Sequence, residues 1–238
     1  MLNIKTFHVN PFQECCILAW DRNLEGVVVD PGCLGGTELA GLESAISSKG
    51  VKVRAVLLTH GHFDHIFGLT RLLEWLGGEV PVYMDSSDQV ILDNDALIAG
   101  SFGLPAPDTS FTYTPVKEGD ALTFGETSWK VISTPGHTPG SVCWHDEADK
   151  VLLSGDTLFA GSIGRTDNQW GDYDKMIVAI MDKLMGLDGD TRVIPGHGPE
   201  TDIAEERTHN PFLQPFNEPG GDELNWDEDG LSIDGGAK

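Results

Sequence analysis

The chain of 238 residues carries 15 Lys and Arg against 38 Asp and Glu, a formal charge of −23 with neutral histidines, and 39% of its residues are hydrophobic. That length and composition suit a globular protein with a sizeable core. The acid surplus repels nucleic acid, which is bound largely through Lys and Arg at phosphates, so no nucleic-acid partner and no nuclease activity are expected. No apolar run approaches the roughly 18 residues of a membrane span, and the first ten residues lack the basic start and apolar stretch of a signal peptide. A cytoplasmic protein with no membrane partner is expected.

Taken in order, Cys15–Trp20 and Gly26–Asp30 read as strands, the second running into the turn Asp30-Pro31-Gly32. Adjacent Cys15 and Cys16 point to opposite faces of a strand, which disfavours a mutual disulfide; with Cys33 and Cys143 they read as buried thiols. A helix is predicted from an N-cap at Thr37 to a stop at Gly50, with Leu39, Leu42 and Ile46 on one face. Val53–Thr59 reads as a buried strand, followed by a helical stripe of Ile66, Leu69, Leu73 and Leu76 that ends at Gly77-Gly78. Pro81–Met84 is a short strand, and residues 100–117 form a long loop beside the site. Residues 119–155 alternate like a β-meander, and a helix runs from Asp172 to Met185. Residues 1–216 thus form one domain without an internal repeat. The stretch 217–238, with seven acids and five glycines, reads as a loosely held acidic tail.

The chemistry concentrates in Thr59-His60-Gly61-His62-Phe63-Asp64-His65, where a strand gives way to a helix. Four side chains able to hold a metal within six residues exceed a chance clustering, because the whole chain has only eight histidines. A tight turn can aim His60 and His62 one way and Asp64 and His65 another, which suits two ions. Three further apolar runs each end in a potential ligand. Val131-Ile132 leads to Pro135-Gly136-His137, Leu152-Leu153-Ser154-Gly155 to Asp156, and Val193-Ile194-Pro195-Gly196 to His197. Sites on open α/β sheets gather beyond strand carboxyl ends, and a glycine before each later ligand allows a sharp turn off the sheet.

With those residues the sequence resembles the metallo-β-lactamase superfamily, and within it the glyoxalase II-like thioester hydrolases, over residues 4–212. The resemblance implies an α/β fold, a four-layer αββα sandwich with metals at one edge of two facing sheets. It implies a first ion on His60, His62 and His137, a second on Asp64, His65 and His197, and Asp156 bridging both. Asp64 and Asp156 then count as catalytic as well as metal-holding. Two divalent ions are implied, zinc foremost, with iron or manganese in relatives. A carboxylate rather than a cysteine at the bridging position argues against antibiotic hydrolysis. Arg165, nine positions beyond Asp156, stands where such enzymes hold the glutathione part of the substrate, whereas the basic C-terminal contacts of the longer enzymes have few counterparts here.

Two close divalent ions lower the pKa of a shared water towards about 7, so a bridging hydroxide is the expected nucleophile. A small-molecule thioester suits this centre, because its thiolate departs without a strong acid. The alternatives are a persulfide dioxygenase with one iron on His60, His137 and Asp156, and a non-catalytic metal-binding protein on the same fold. Asp30 is a candidate acceptor for a ligand imidazole. Trp170 and Phe102 read as packing residues, and His8, His145 and His209 have no assigned role. No pattern sets an oligomeric state.

Overall fold

Alternate residues of the central strands enter different cores in a computed structural model, which describes residues 1–214 and the backbone of 225–227 and 230–232. In the strand Glu14–Trp20, Cys16, Leu18 and Trp20 join one cluster while Ile17 and Ala19 join another. Such a strand must be covered on both faces, and its composition accordingly reads as a continuous apolar run.

The first sheet holds β1 (Asn3–Val9), β2 (Glu14–Trp20), β3 (Glu25–Val29), β4 (Lys52–Leu57), β5 (Val82–Asp85) and β6 (Thr114–Val116), in that order. Its first three strands pair antiparallel and the rest parallel. The parallel connections carry α1 (Gly36–Lys49), α2 (Phe63–Ile66), α3 (Leu69–Trp75), α4 (Gln89–Leu92) and α5 (Asp95–Ser101). The second sheet is built from β7 (Ala121–Phe124), β8 (Thr127–Ser133), β9 (Val142–Asp146) and β10 (Val151–Gly155), an antiparallel meander. After the small hairpin β11 (Leu158–Phe159) and β12 (Ser162–Ile163) comes α6 (Tyr173–Ala179), continued by a π-turn over Ile180–Leu184. Then β13 (Arg192–Pro195) pairs parallel with β10, β14 (Thr201–Asp202) closes the edge, and α7 (Ile203–His209) follows. A last hairpin joins β15 (Asn225–Asp227) to β16 (Gly230–Ser232). The remaining tail expected from 217 lies outside the described residues.

Three cores produce the αββα layering. One packs Leu39, Leu42 and Ile46 of α1 and Ile66, Leu69 and Leu72 against the first sheet. A second lies between the sheets, where Val27, Val29 and Leu57 meet Trp129, Trp144, Leu153 and Ile194. The third seats Met176, Ile180, Leu184 and Ile203 on the outer face of the second sheet. A fully buried side chain of this kind contributes about 1.5–3 kcal/mol, whereas exposed ion pairs such as Arg22 with Glu126 are screened by solvent and add little. Apolar burial therefore dominates the fold.

Local details differ from the sequence expectations for identifiable reasons. The first helix starts one residue before Thr37, because Glu38 accepts from the Leu34 and Gly35 amides and makes Gly35 the cap. The stripe from Ile66 to Leu76 is split into two short helices at Phe67-Gly68, where a Cβ on Gly68 would meet the Pro31 carbonyl and Cys33 at 2.9 Å. All four cysteines are free and buried. Burial pushes the Cys15 thiol up to about 12, which leaves it a weak nucleophile.

Candidate metal centre

The sheets are stitched together at one end. The Val142 amide donates to the Thr59 carbonyl at 2.8 Å, the Trp144 indole to the Leu58 carbonyl at 3.0 Å, and the Cys15 amide to the Gly196 carbonyl at 2.8 Å. These bonds draw the turn after β4 towards the loops after β8, β10 and β13, so the four strand-end ligand positions meet.

Two of the preceding glycines have different reasons. Gly155 sits at φ +49°, and a Cβ there would stand 2.4 Å from Thr59 Oγ1, so both conformation and space require glycine. Gly196 is not left-handed; its Cβ would press within 2.3 Å of Asp156 Oδ1. Space for the carboxylate, rather than the turn anticipated from the sequence, fixes that residue.

His62 Nδ1 lies 3.0 Å from His60 Nε2 and 2.9 Å from His137 Nε2. The outer nitrogens of the flanking rings already have acceptors. His60 Nδ1 donates to Thr59 Oγ1 at 3.1 Å, and His137 Nδ1 to the Arg165 carbonyl at 2.7 Å. Their Nε2 lone pairs therefore face inward with His62 Nδ1, an arrangement that a cation satisfies and a shared proton cannot. In the second group, His65 Nδ1 donates to Asp30 Oδ2 at 3.0 Å and His197 Nδ1 to the Phe12 carbonyl at 3.0 Å. Their Nε2 atoms then meet 3.3 Å apart, with Asp64 Oδ2 3.3 Å from His197 Nε2. Atoms bound at roughly 2.0–2.1 Å to a tetrahedral zinc lie roughly 3.4 Å from one another, so both groups fit an ion.

Asp156 stands between them. Its Oδ2 is 3.4 Å from His137 Nε2, and its Oδ1 is 3.5 Å from His65 Nε2 and 3.6 Å from His197 Nε2. Oδ1 is buried without a hydrogen-bond partner among the described residues. All seven positions anticipated from the sequence are thus brought together.

The electrostatics agree with a site built for cations. Burial, with neighbouring imidazoles, holds His60 and His62 well below the usual histidine range, in the neutral form that binds metal. Burial opposes protonation of His65, but the carboxylates of Asp64, Asp156 and Asp30 outweigh it and push its pKa up to about 10. Burial would raise Asp64; the imidazoles of His65, His197 and His62 hold it below the ordinary carboxylate range instead. A proton on His65 and a divalent ion would compete for one lone pair.

Asp30 is the acceptor suggested by its place after β3, and it also takes the Thr59 amide at 2.8 Å and hydroxyl at 2.6 Å. Other supports carry no sequence signal. Buried Asp88 accepts from Gly61 and Gly140 amides and from Thr138 Oγ1, joining the turn after β4 to the loop after β8. Buried Asp95 accepts from the Phe63 amide at 3.1 Å. The Arg165 carbonyl orients His137, while its guanidinium, largely exposed, pairs with Asp167 at 2.8 Å. Phe102 and Trp170, read as packing residues, both line the cleft over the centre, and of the long loop expected at 100–117 only Ser101 and Phe102 reach it.

Two facing sheets with clustered His and Asp at their joined end define a metallo-hydrolase architecture. The metallo-β-lactamase superfamily model matches residues 9–197, and the chain belongs to that superfamily, whose members are metal-dependent hydrolases that bind divalent ions. The hydroxyacylglutathione hydrolase GloC of Haemophilus influenzae is 35% identical over 217 residues, covering 89% of this chain and 98% of that one. The crystal structure of the BLEG-1 B3 metallo-β-lactamase aligns with a TM-score of 0.81 at 33% identity, covering 89% and 99%. TTHA1623 in a di-iron-bound form aligns with a TM-score of 0.78 at 34% identity, covering 88% and 100%. Among the described residues no helix is long and apolar enough to cross a membrane.

Proposed function

We propose that this chain is a dinuclear hydrolase of small-molecule thioesters, S-acylglutathione or a related compound. The observation that carries the reading is Asp156, which offers one oxygen to each ligand group. His60, His62 and His137 would hold one ion and Asp64, His65 and His197 the other, with zinc favoured by the histidine-rich set. Bound divalent ions supply hydroxide at neutral pH and polarise a carbonyl. The chain's own residues fix that chemistry in place. Thr59, Asp30, Phe12 and Arg165 lock four imidazoles in one tautomer, and Asp64 and Asp156 supply the negative charge that offsets the cations. Arg165 sets a guanidinium at the rim, where a carboxylate of the thiol portion can displace Asp167. GloC supports the thioester choice, and a one-iron dioxygenase on His60, His137 and Asp156 would leave the second group idle.

The test loads the purified protein with zinc or iron and follows metal content beside turnover of lactoylglutathione, an acyl-coenzyme A, a phosphodiester and a β-lactam. The β-lactam is included because BLEG-1 is a metallo-β-lactamase. Two zinc equivalents with thioester cleavage are expected. A plateau at one metal, with iron restoring oxygen consumption, would replace the proposal with the dioxygenase.

A further inference from the structure

The cleft above the ligand groups has a volume of about 720 Å³, and its lining is mixed in chemistry. His62, Asp64, His137, Asp156 and His197 form its floor. The polar Arg165, Asn168 and Gln169 line the cleft together with Phe159, Ile163 and Trp170. Phe12, Phe63, Leu97, Ile98 and Phe102 also line it, with no ionisable group among them. The three phenyl rings contact one another, Phe12 with Phe102 at 5.4 Å, Phe12 with Phe63 at 5.6 Å and Phe63 with Phe102 at 5.7 Å between centroids. Leu97 is nevertheless 76% exposed and Phe102 52%.

That exposure does not come from a loose helix. α5 is tied down by Asp95 on the Phe63 amide, and Ala99 is buried against Phe63 and Phe67. Single exposed apolar residues are ordinary, but a contiguous patch at the mouth of a pocket marks what the pocket receives. The patch is continuous with the ligand-bearing floor, so its occupant must be attached to the reacting carbonyl. Arg165, Asn168 and Gln169 offer the cleft's donors and acceptors to the hydrophilic thiol portion.

We infer that the acyl group of the substrate is apolar and extended, an alkyl chain of about six carbons or an aryl group, and that it lies on the wall of Phe12, Phe63, Leu97, Ile98 and Phe102. This rests on the reading of the floor as a metal centre whose substrate is a thioester. A two- or three-carbon acyl group has too little surface to use three rings and two aliphatic side chains. Leu97 and Phe102 are then specificity-determining residues.

The test uses straight-chain hydroxamates, from acetohydroxamate to octanohydroxamate, bound to the zinc-loaded protein and followed by calorimetry. Their shared head anchors on metal whatever the thiol, so only the acyl arm varies. Burial of each added methylene is worth about threefold to fourfold in affinity, and a gain of at least about tenfold from acetohydroxamate to hexanohydroxamate is expected. Leu97→Ser and Phe102→Ser should each cut that gain at least threefold, with unchanged circular dichroism. Affinity indifferent to chain length overturns the inference, as does a gain that survives both substitutions. Acetylglutathione and hexanoylglutathione are turned over in parallel. Length-dependent binding without thioester cleavage would discard the hydrolase reading and keep the wall, whereas cleavage indifferent to length would do the reverse.

Discussion

A carboxylate sealed from solvent costs free energy whenever it is ionised, and Asp95 is such a group. Burial pushes its pKa up to about 8, although the Phe63 amide opposes the shift. The folded chain therefore holds this proton between about pH 4 and about pH 8, where the unfolded chain has released it. The associated stability is fully present at the acid end and is lost as pH rises through about 8. Asp95→Asn keeps an oxygen for the Phe63 amide but cannot ionise. Its melting temperature should exceed that of the parent at about pH 9, and the gap should narrow steadily below about pH 8 and close towards about pH 4. Parallel melting curves across that range would show that Asp95 is not ionising in the folded protein. Nothing in Asp93-Asn94-Asp95 distinguishes this acid from its neighbours in so acidic a chain, because its role is set by what packs over it.

At the scale of loops and strands, the centre depends on how the turn after β4 is held to the loop after β8. Asp88 supplies that tie with three accepted hydrogen bonds, so Asp88→Ala leaves three donors without their partner. Zinc affinity should fall about 10–100-fold, measured by competition with a chromophoric chelator, and Asp88→Asn should recover part of the loss. Unchanged affinity in the Ala variant would mean that the loops hold their places without this tie. The candidate ligand positions stand out in the sequence because His60, His137, Asp156 and His197 each follow an apolar run that reads as a strand, and His62, Asp64 and His65 crowd the turn after the first of them. The layering was legible from the resemblance those ligands carry. What supports the ligands was mostly hidden. Carbonyls of Phe12 and Arg165 orient His197 and His137, and a main-chain group has no identity in the sequence. The strand Asn3–Val9 was missed because its mixed pattern, partly exposed at an edge, lacks the unbroken apolar run of β2. The helices α4, α5 and α7 are too short for helical periodicity to register.

For the molecule as a whole, a formal charge of −23 sets a field that any anionic substrate must cross. A coenzyme A thioester, bearing several phosphate charges, should be disfavoured relative to an uncharged thioester with the same acyl group. Because the Debye length shrinks from about 30 Å at 0.01 M salt to about 8 Å at 0.15 M, the disadvantage should narrow as salt is added. The ratio of kcat/KM for the two substrates, followed across that range, checks this; a flat ratio would show that the local field of the cleft outweighs the global one. The spread of the ligand residues along the chain also has a consequence in time. His65 and His197 meet across 132 positions of sequence, and translation at about 5–20 residues per second separates their synthesis by roughly 7 to 26 s. During that interval the turn bearing His60, His62 and His65 waits on the ribosome without its later partners. An ion held there would have only part of the ligand set, and the full set would close only once β13 brings in His197.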